Sequence, residues 1–164
     1  MKQEIRTVKA DELAELEKVA VKVWHQSYDG LIGVDQVNYM IAMFQNEAAF
    51  RKQISEGYIY RGLYVDDKLV GYTGSVREEN RIFISKLYLL EEYRGLGLGR
   101  KLLEDVIAIY PQYRSFYLTV NKHNPTFGMY EHFGFKVIDA VVSDIGSGYV
   151  MDDYIMQLDV EDKQ

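Results

Sequence analysis

The stretch Ile82-Phe83-Ile84-Ser85-Lys86-Leu87-Tyr88-Leu89-Leu90-Glu91-Glu92-Tyr93-Arg94-Gly95-Leu96-Gly97-Leu98-Gly99-Arg100 decides how this chain folds. Its opening residues are aromatic and β-branched enough for a mostly buried strand. Beyond the glycine run, Leu98, Leu102, Leu103, Val106 and Ile109 recur at helical spacing, so the stretch reads strand, glycine-rich turn, helix. Glycines without Cβ atoms let a ligand come close to the backbone, and the first N–H groups of a helix have no partner within it. Together they suit an anion such as a pyrophosphate, and Arg94 and Arg100 add positive charge beside it. A dinucleotide fingerprint requires Gly-x-Gly-x-x-Gly, but position 100 is arginine; a P-loop requires Gly-Lys followed by Ser or Thr, which is also missing.

Upstream, residues 4–9 alternate weakly, as a first strand would. From Asp11, a plausible N-cap, Leu13, Leu16, Val19, Ala20, Val23 and Trp24 share one helical face. A loop is expected over residues 27–33, with Asp35 opening a second helix and residues 47–56 a third that stops at Gly57. Residues 58–65, 68–77 and 81–90 read as an antiparallel meander with turns at Asp66-Asp67 and Glu78-Glu79-Asn80. Downstream, the helix ends before Pro111. Residues 115–120 form a strand that a helical crossover makes parallel to the one ending at Leu90. Ligands then belong at the C-terminal ends of these two strands, where the glycine turn lies. Asn124 is the expected N-cap of a short helix with Pro125 at its first position and Gly134 at its end. Residues 136–142 and 148–160 read as two final strands joined by 143–147.

The expected architecture is a single domain over residues 1–164 of the α/β (α+β) class, with one mixed, mostly antiparallel sheet of about seven strands flanked by helices. At 48% hydrophobic and 27% charged residues the chain has the make-up of an ordinary globular protein. A net charge of −6 argues against nucleic acid as a partner and is compatible with a cationic substrate. The absence of cysteine removes disulfide, thiolate-metal and thiol-nucleophile readings together. His25, His123 and His132 show no metal-ligand spacing. No signal-like N-terminus or run of about 18 apolar residues is present, so a cytoplasmic protein without a membrane partner is expected. Assembly as a homodimer is left open.

The order strand, Arg-Gly-x-Gly-x-Gly, helix, strand, Asn121-Lys122-His123-Asn124-Pro125, then Tyr130-Glu131-His132-Phe133-Gly134-Phe135 resembles the core of the GNAT superfamily of N-acetyltransferases. The resemblance is close over residues 58–140. It implies direct, acetyl-CoA-dependent transfer to an amine, with the parallel strands splayed and the backbone of Leu87, Tyr88 and Leu89 holding the pantetheine arm. By the same resemblance Arg94, Gly95, Leu96, Gly97, Leu98, Gly99 and Arg100 bind the pyrophosphate, Asn121 and Asn124 touch the arm, and Tyr130 protonates the leaving thiolate. A phenol with a pKa near 10 is protonated at neutral pH, as that acid must be. Many family members carry a glutamate base on the central strand, but residues 81–90 contain no carboxylate. The amine proton can go to water, His25, Asp152 or Asp153, and the sequence does not choose.

The final strand and residues 24–43 look like those of bacterial members that include spermidine/spermine acetyltransferases. His25, Tyr28 and Asp152 are therefore the candidate substrate residues for a small-molecule, polyamine-like primary amine. The alternatives are a protein or peptide acceptor, and a non-catalytic acyl-CoA-binding sensor.

Overall fold

The computed structural model describes residues 1–161, so positions 162–164 of the single-domain reading lie outside the described residues. Seven strands form one sheet in the order β1-β2-β3-β4-β5-β7-β6. They are β1 (Gln3–Thr7), β2 (Ile59–Val65), β3 (Lys68–Glu78), β4 (Arg81–Leu89), β5 (Ser115–Asn121), β6 (Lys136–Gly146) and β7 (Tyr149–Asp159). Five helices accompany them: α1 (Leu13–Ile32), α2 (Val34–Phe44), α3 (Glu47–Ser55), α4 (Leu98–Ala108) and α5 (Phe127–Phe133). Among these strands only β4 and β5 pair in parallel; every other neighbour is antiparallel. The expected mixed, mostly antiparallel sheet is what the chain forms.

The meander closes as its turn chemistry dictates. Asp66 and Asp67 take φ of 50° and 67°, the left-handed pair that a two-residue hairpin requires. β3 is buried at every position from 69 to 75, as a strand covered on both faces must be. One core gathers Leu13, Leu16, Val23, Phe50, Leu63 and Tyr72; a second gathers Ile82, Leu103, Val106, Phe116 and Met156. A third, smaller cluster of Trp24, Tyr28, Val37 and Met40 joins α1 to α2. Arg61 on β2 grips Asp105 on α4 through two hydrogen bonds of 2.9 and 2.7 Å, which sets the helix against the sheet. Among the described residues no helix is long and apolar enough to cross a membrane.

Four expectations are corrected. The loop over residues 27–33 is helical through Ile32, because Tyr28 packs its ring on Trp24 at 4.4 Å and the His25–Asp29 pair spans one turn. Gly30 keeps the helix; the stop falls at Gly33, whose φ is 85° and whose N–H reaches the Asp29 carbonyl. Asp11 sits in a 3₁₀ turn, Ala10–Glu12, ahead of α1 and caps no α-helix. Asn124 and Pro125 precede α5: the Asn124 side chain accepts from the N–H and hydroxyl of Thr126, folding a turn that delays the helix to Phe127. The last two strands also run further toward each other than expected, joined only through Ser147 and Gly148.

Phe116 lies fully buried opposite Ile82 at the parallel contact. Phe116→Ala should lower the unfolding free energy by about 3–5 kcal/mol, measured by denaturant titration.

Candidate active site

The parallel ladder between β4 and β5 is short: Ile82 meets Phe116, Phe83 meets Tyr117, and no further position pairs. β4 nevertheless stays bound to β3 up to Leu89, opposite Gly71. Leu90 N–H donates to Val70, so by the antiparallel alternation the backbone groups of Leu89 and Leu87 face away from β3, toward the opening. Into that opening fits a cleft of about 440 Å³. Its walls are Leu87, Tyr88 and Leu89 from β4, Leu118, Thr119 and Val120 from β5, the glycine turn, and Tyr130.

The glycine turn forms the far end. Gly95 and Gly97 take φ of 78° and 76°, so each is a glycine for its conformation, with open space where a Cβ would stand. Gly99 serves differently: a Cβ there would meet the Met129 sulfur at 2.7 Å, so it allows α4 and α5 to pack closely. Lys101 N–H makes the first helical bond, to Gly97, which leaves the N–H groups of Leu98, Gly99 and Arg100 as the donors at the α4 N-terminus. Arg94 is partly committed: its Nε donates to the Leu89 carbonyl and its guanidinium to the Ser27 hydroxyl, tying the turn to β4 and α1. The guanidinium of Arg100 lies 5.3 Å from the Phe133 ring centre.

At the other end, phenols converge. Tyr130 is 6% exposed, and burial drives its hydroxyl well above the ordinary phenol range, which keeps it protonated. Burial likewise raises Tyr28 to about 12, against a hydrogen bond with Tyr88 that pulls it down. Asn124 donates from Nδ2 to the Tyr28 hydroxyl at 3.2 Å, linking the β5–α5 turn to α1.

The structure therefore gathers most of the expected residues: Leu87, Tyr88, Leu89, Arg94, Gly95, Gly97, Leu98, Gly99, Arg100, Asn124, Tyr130 and Tyr28 all line the cleft. Four do not. The Leu96 side chain points to solvent at 54% exposure. Asn121 accepts from His123 N–H and holds the turn after β5. His25 pairs with Asp29 along α1. Asp152 turns outward to Lys122, 2.9 Å away.

Asp153, its neighbour, stands in the sequence only among several possible proton acceptors, while Asp152 is the expected substrate residue. It is 8% exposed, and its Oδ1 has no hydrogen-bond partner among the described residues. Burial, with Asp152 adding repulsion, raises its carboxyl to about 6. Alternation on the strand signalled that one of the two carboxylates must face inward; it could not say which.

With this geometry in view, the chain can be set beside known proteins. Residues 18–151 match the family model described as acetyltransferase (GNAT) domain. The 5-NmdU N-acetyltransferase of Pseudomonas phage PaMx11 is 34% identical over 99 residues, 58% of this chain and 66% of the phage protein. The spermidine N(1)-acetyltransferase of Thermoplasma acidophilum is 28% identical over 153 residues, covering 88% and 94% of the two chains. The crystal structure of the PaiA N-acetyltransferase from the same organism, in complex with coenzyme A, superposes with a TM-score of 0.83 at 25% identity over 97% of this chain and 99% of that one.

Two measurements test this geometry. Gly97→Ala, strained by its positive φ, should cost about 1–2 kcal/mol of stability by denaturant titration. Asp153 holds its proton more tightly folded than unfolded, so its contribution favours folding at acid pH and is lost as pH rises from about 4 to about 6. Asp153→Asn should therefore melt higher than wild type at pH 7, with the difference shrinking toward pH 4. The match to the family model spans residues 18–151, well over half of the sequence, and the chain belongs to the acetyltransferase (GNAT) domain family.

Proposed function

We propose that the chain transfers the acetyl group of acetyl-CoA directly to a primary amine of a small, polyamine-like molecule. The observation that carries the reading is the opening between β4 and β5, with backbone groups on one edge, helix N–H donors at one end and a buried phenol at the other. Acetyl-CoA supplies an activated acyl thioester. The residues fit its parts: the free N–H groups of Leu98, Gly99 and Arg100, with the Arg100 side chain, suit the pyrophosphate. Gly95 and Gly97 present backbone with no Cβ in the way, and the edge of β4 at Leu87 and Leu89 offers peptide groups to the amide-bearing arm. Asn124 and Thr126 border the same channel.

The chemistry divides simply. A neutral amine attacks the carbonyl carbon, and the N–H of Leu89, facing the opening, is the donor for the oxyanion. As the nitrogen–carbon bond forms and the carbon–sulfur bond breaks, Tyr130 gives its proton to the thiolate and recovers one from the acylated nitrogen. A phenol that burial keeps protonated suits that role. The wall of Trp24, Tyr28, Val37 and Met40 supplies an apolar surface for the acceptor's methylenes. Similarity over 88% of the chain to a spermidine acetyltransferase supports the polyamine class, as does the net charge of −6.

Free-thiol release from acetyl-CoA should be measured against polyamines, amino acids, aminoglycosides and short peptides. Release above the no-acceptor control with polyamines is expected; release with peptides alone would reassign the acceptor. Tyr130→Phe should lower kcat by roughly 10²-fold while acetyl-CoA still raises the melting temperature, and full turnover by that variant would remove Tyr130 as the acid.

A further inference from the structure

We propose that Asp153 is the acceptor-binding carboxylate of this site: it receives the ammonium group of an aliphatic amine and takes the proton that must leave before attack. The inference rests on the acetyl-transfer reading and names the group that this reading leaves unassigned. No carboxylate stands on β4, His25 is occupied with Asp29, and Asp152 is occupied with Lys122.

Strand geometry puts Asp153 on the face of β7 that packs toward α1 and α2. β7 pairs with β5 without a break in register, so side chains alternate strictly along it. Tyr154, Met156 and Leu158 take part in the cluster with Leu103 and Phe116. Met151 packs instead on Trp24, Tyr28, Val37 and Met40. Asp153 shares the face of Met151, and its charge acts on the hydroxyl of Tyr28, a cleft residue.

The surroundings then decide what the carboxylate can meet. Asn121 on β5 and Val141 on β6 pair across from it, Tyr28 on α1 lies within electrostatic reach, and Asp152 is beside it on β7. The Asn121 oxygen is taken by His123 N–H, Lys122 is drawn to Asp152, and Arg94 bonds to Leu89 and Ser27. None of these supplies a cation to Asp153. A buried carboxylate without a counterion is unfavourable, and a cationic ligand that completes the pair relieves it. Trp24, Tyr28 and Tyr88, whose ring centres lie 4.4 to 6.5 Å apart, add aromatic faces that favour an ammonium over a neutral acceptor.

The proton balance closes. An N–H bond of the ammonium breaks and an O–H bond forms on Asp153; that proton passes to water, while the second nitrogen proton replaces the one Tyr130 gives the thiolate. The raised carboxyl, near 6, is ionised at neutral pH and still basic enough for this exchange.

Steady-state kinetics with saturating acetyl-CoA and the best amine of the panel test the proposal. Wild-type kcat/KM for the amine should fall below about pH 6. Asp153→Asn should raise the amine KM at least tenfold and lose that acid limb, with the KM for acetyl-CoA unchanged and Asp153→Glu restoring part of the activity. An Asp153→Asn enzyme with wild-type amine KM and pH profile overturns the role of Asp153 while leaving acetyl transfer standing. Should that variant fail to fold, a wild-type profile with no ionisation near 6 overturns it equally. Wild-type protein that releases no thiol with any amine overturns the acetyl-transfer reading, and this one with it.

Discussion

Two parallel strands that pair at only two positions create the cleft, and the rest of the site depends on their separation. β4 and β5 are joined at Ile82–Phe116 and Phe83–Tyr117 and then part. β4 does not sag into the space, because β3 holds its other edge to Leu89. Unpaired backbone groups in a partly buried position are expensive, of the order of 1–3 kcal/mol each, and the fold meets part of that demand by bonding Arg94 to the Leu89 carbonyl. The same arginine fastens the glycine turn to α1 through Ser27. One side chain thus couples the strand edge, the glycine turn and the helix that carries Tyr28.

The electrostatics around the cleft follow from burial. Removing phenols from water penalises their charged form, so Tyr28, Tyr88 and Tyr130 are all driven toward the protonated state. The same effect works against Asp153, whose carboxylate would be better solvated outside. Burying phenols and a carboxylate in this way spends stability on groups that packing alone would not retain. The distribution of ion pairs fits that view. Arg61–Asp105, between β2 and α4, is fully matched and structural; Asp153 Oδ1 has no hydrogen-bond partner among the described residues.

Periodicity and turn chemistry determined the outline from the sequence alone. Strand-like runs separated by turn residues gave away the meander, the pair Asp66-Asp67 marked its first turn, and helical spacing after Gly99 placed α4. The spacing of the glycine turn and of the segment from Asn121 to Phe135 named the family and most of the cleft, because those motifs encode local backbone geometry. Local signals are weakest where a neighbour far along the chain casts the deciding vote. Gly30 looks like a helix stop, but packing of Tyr28 on Trp24 carries α1 past it to Gly33. Asn124 looks like a cap of α5, but its carbonyl oxygen folds the preceding turn while its amide reaches Tyr28 on a distant helix. Adjacent aspartates on a strand must face opposite ways, which the sequence states. That Asp153 is buried on the face of Met151 while Asp152 turns to the solvent was decided only in the tertiary structure, where Met151 and Met156 commit opposite faces of β7 to different clusters.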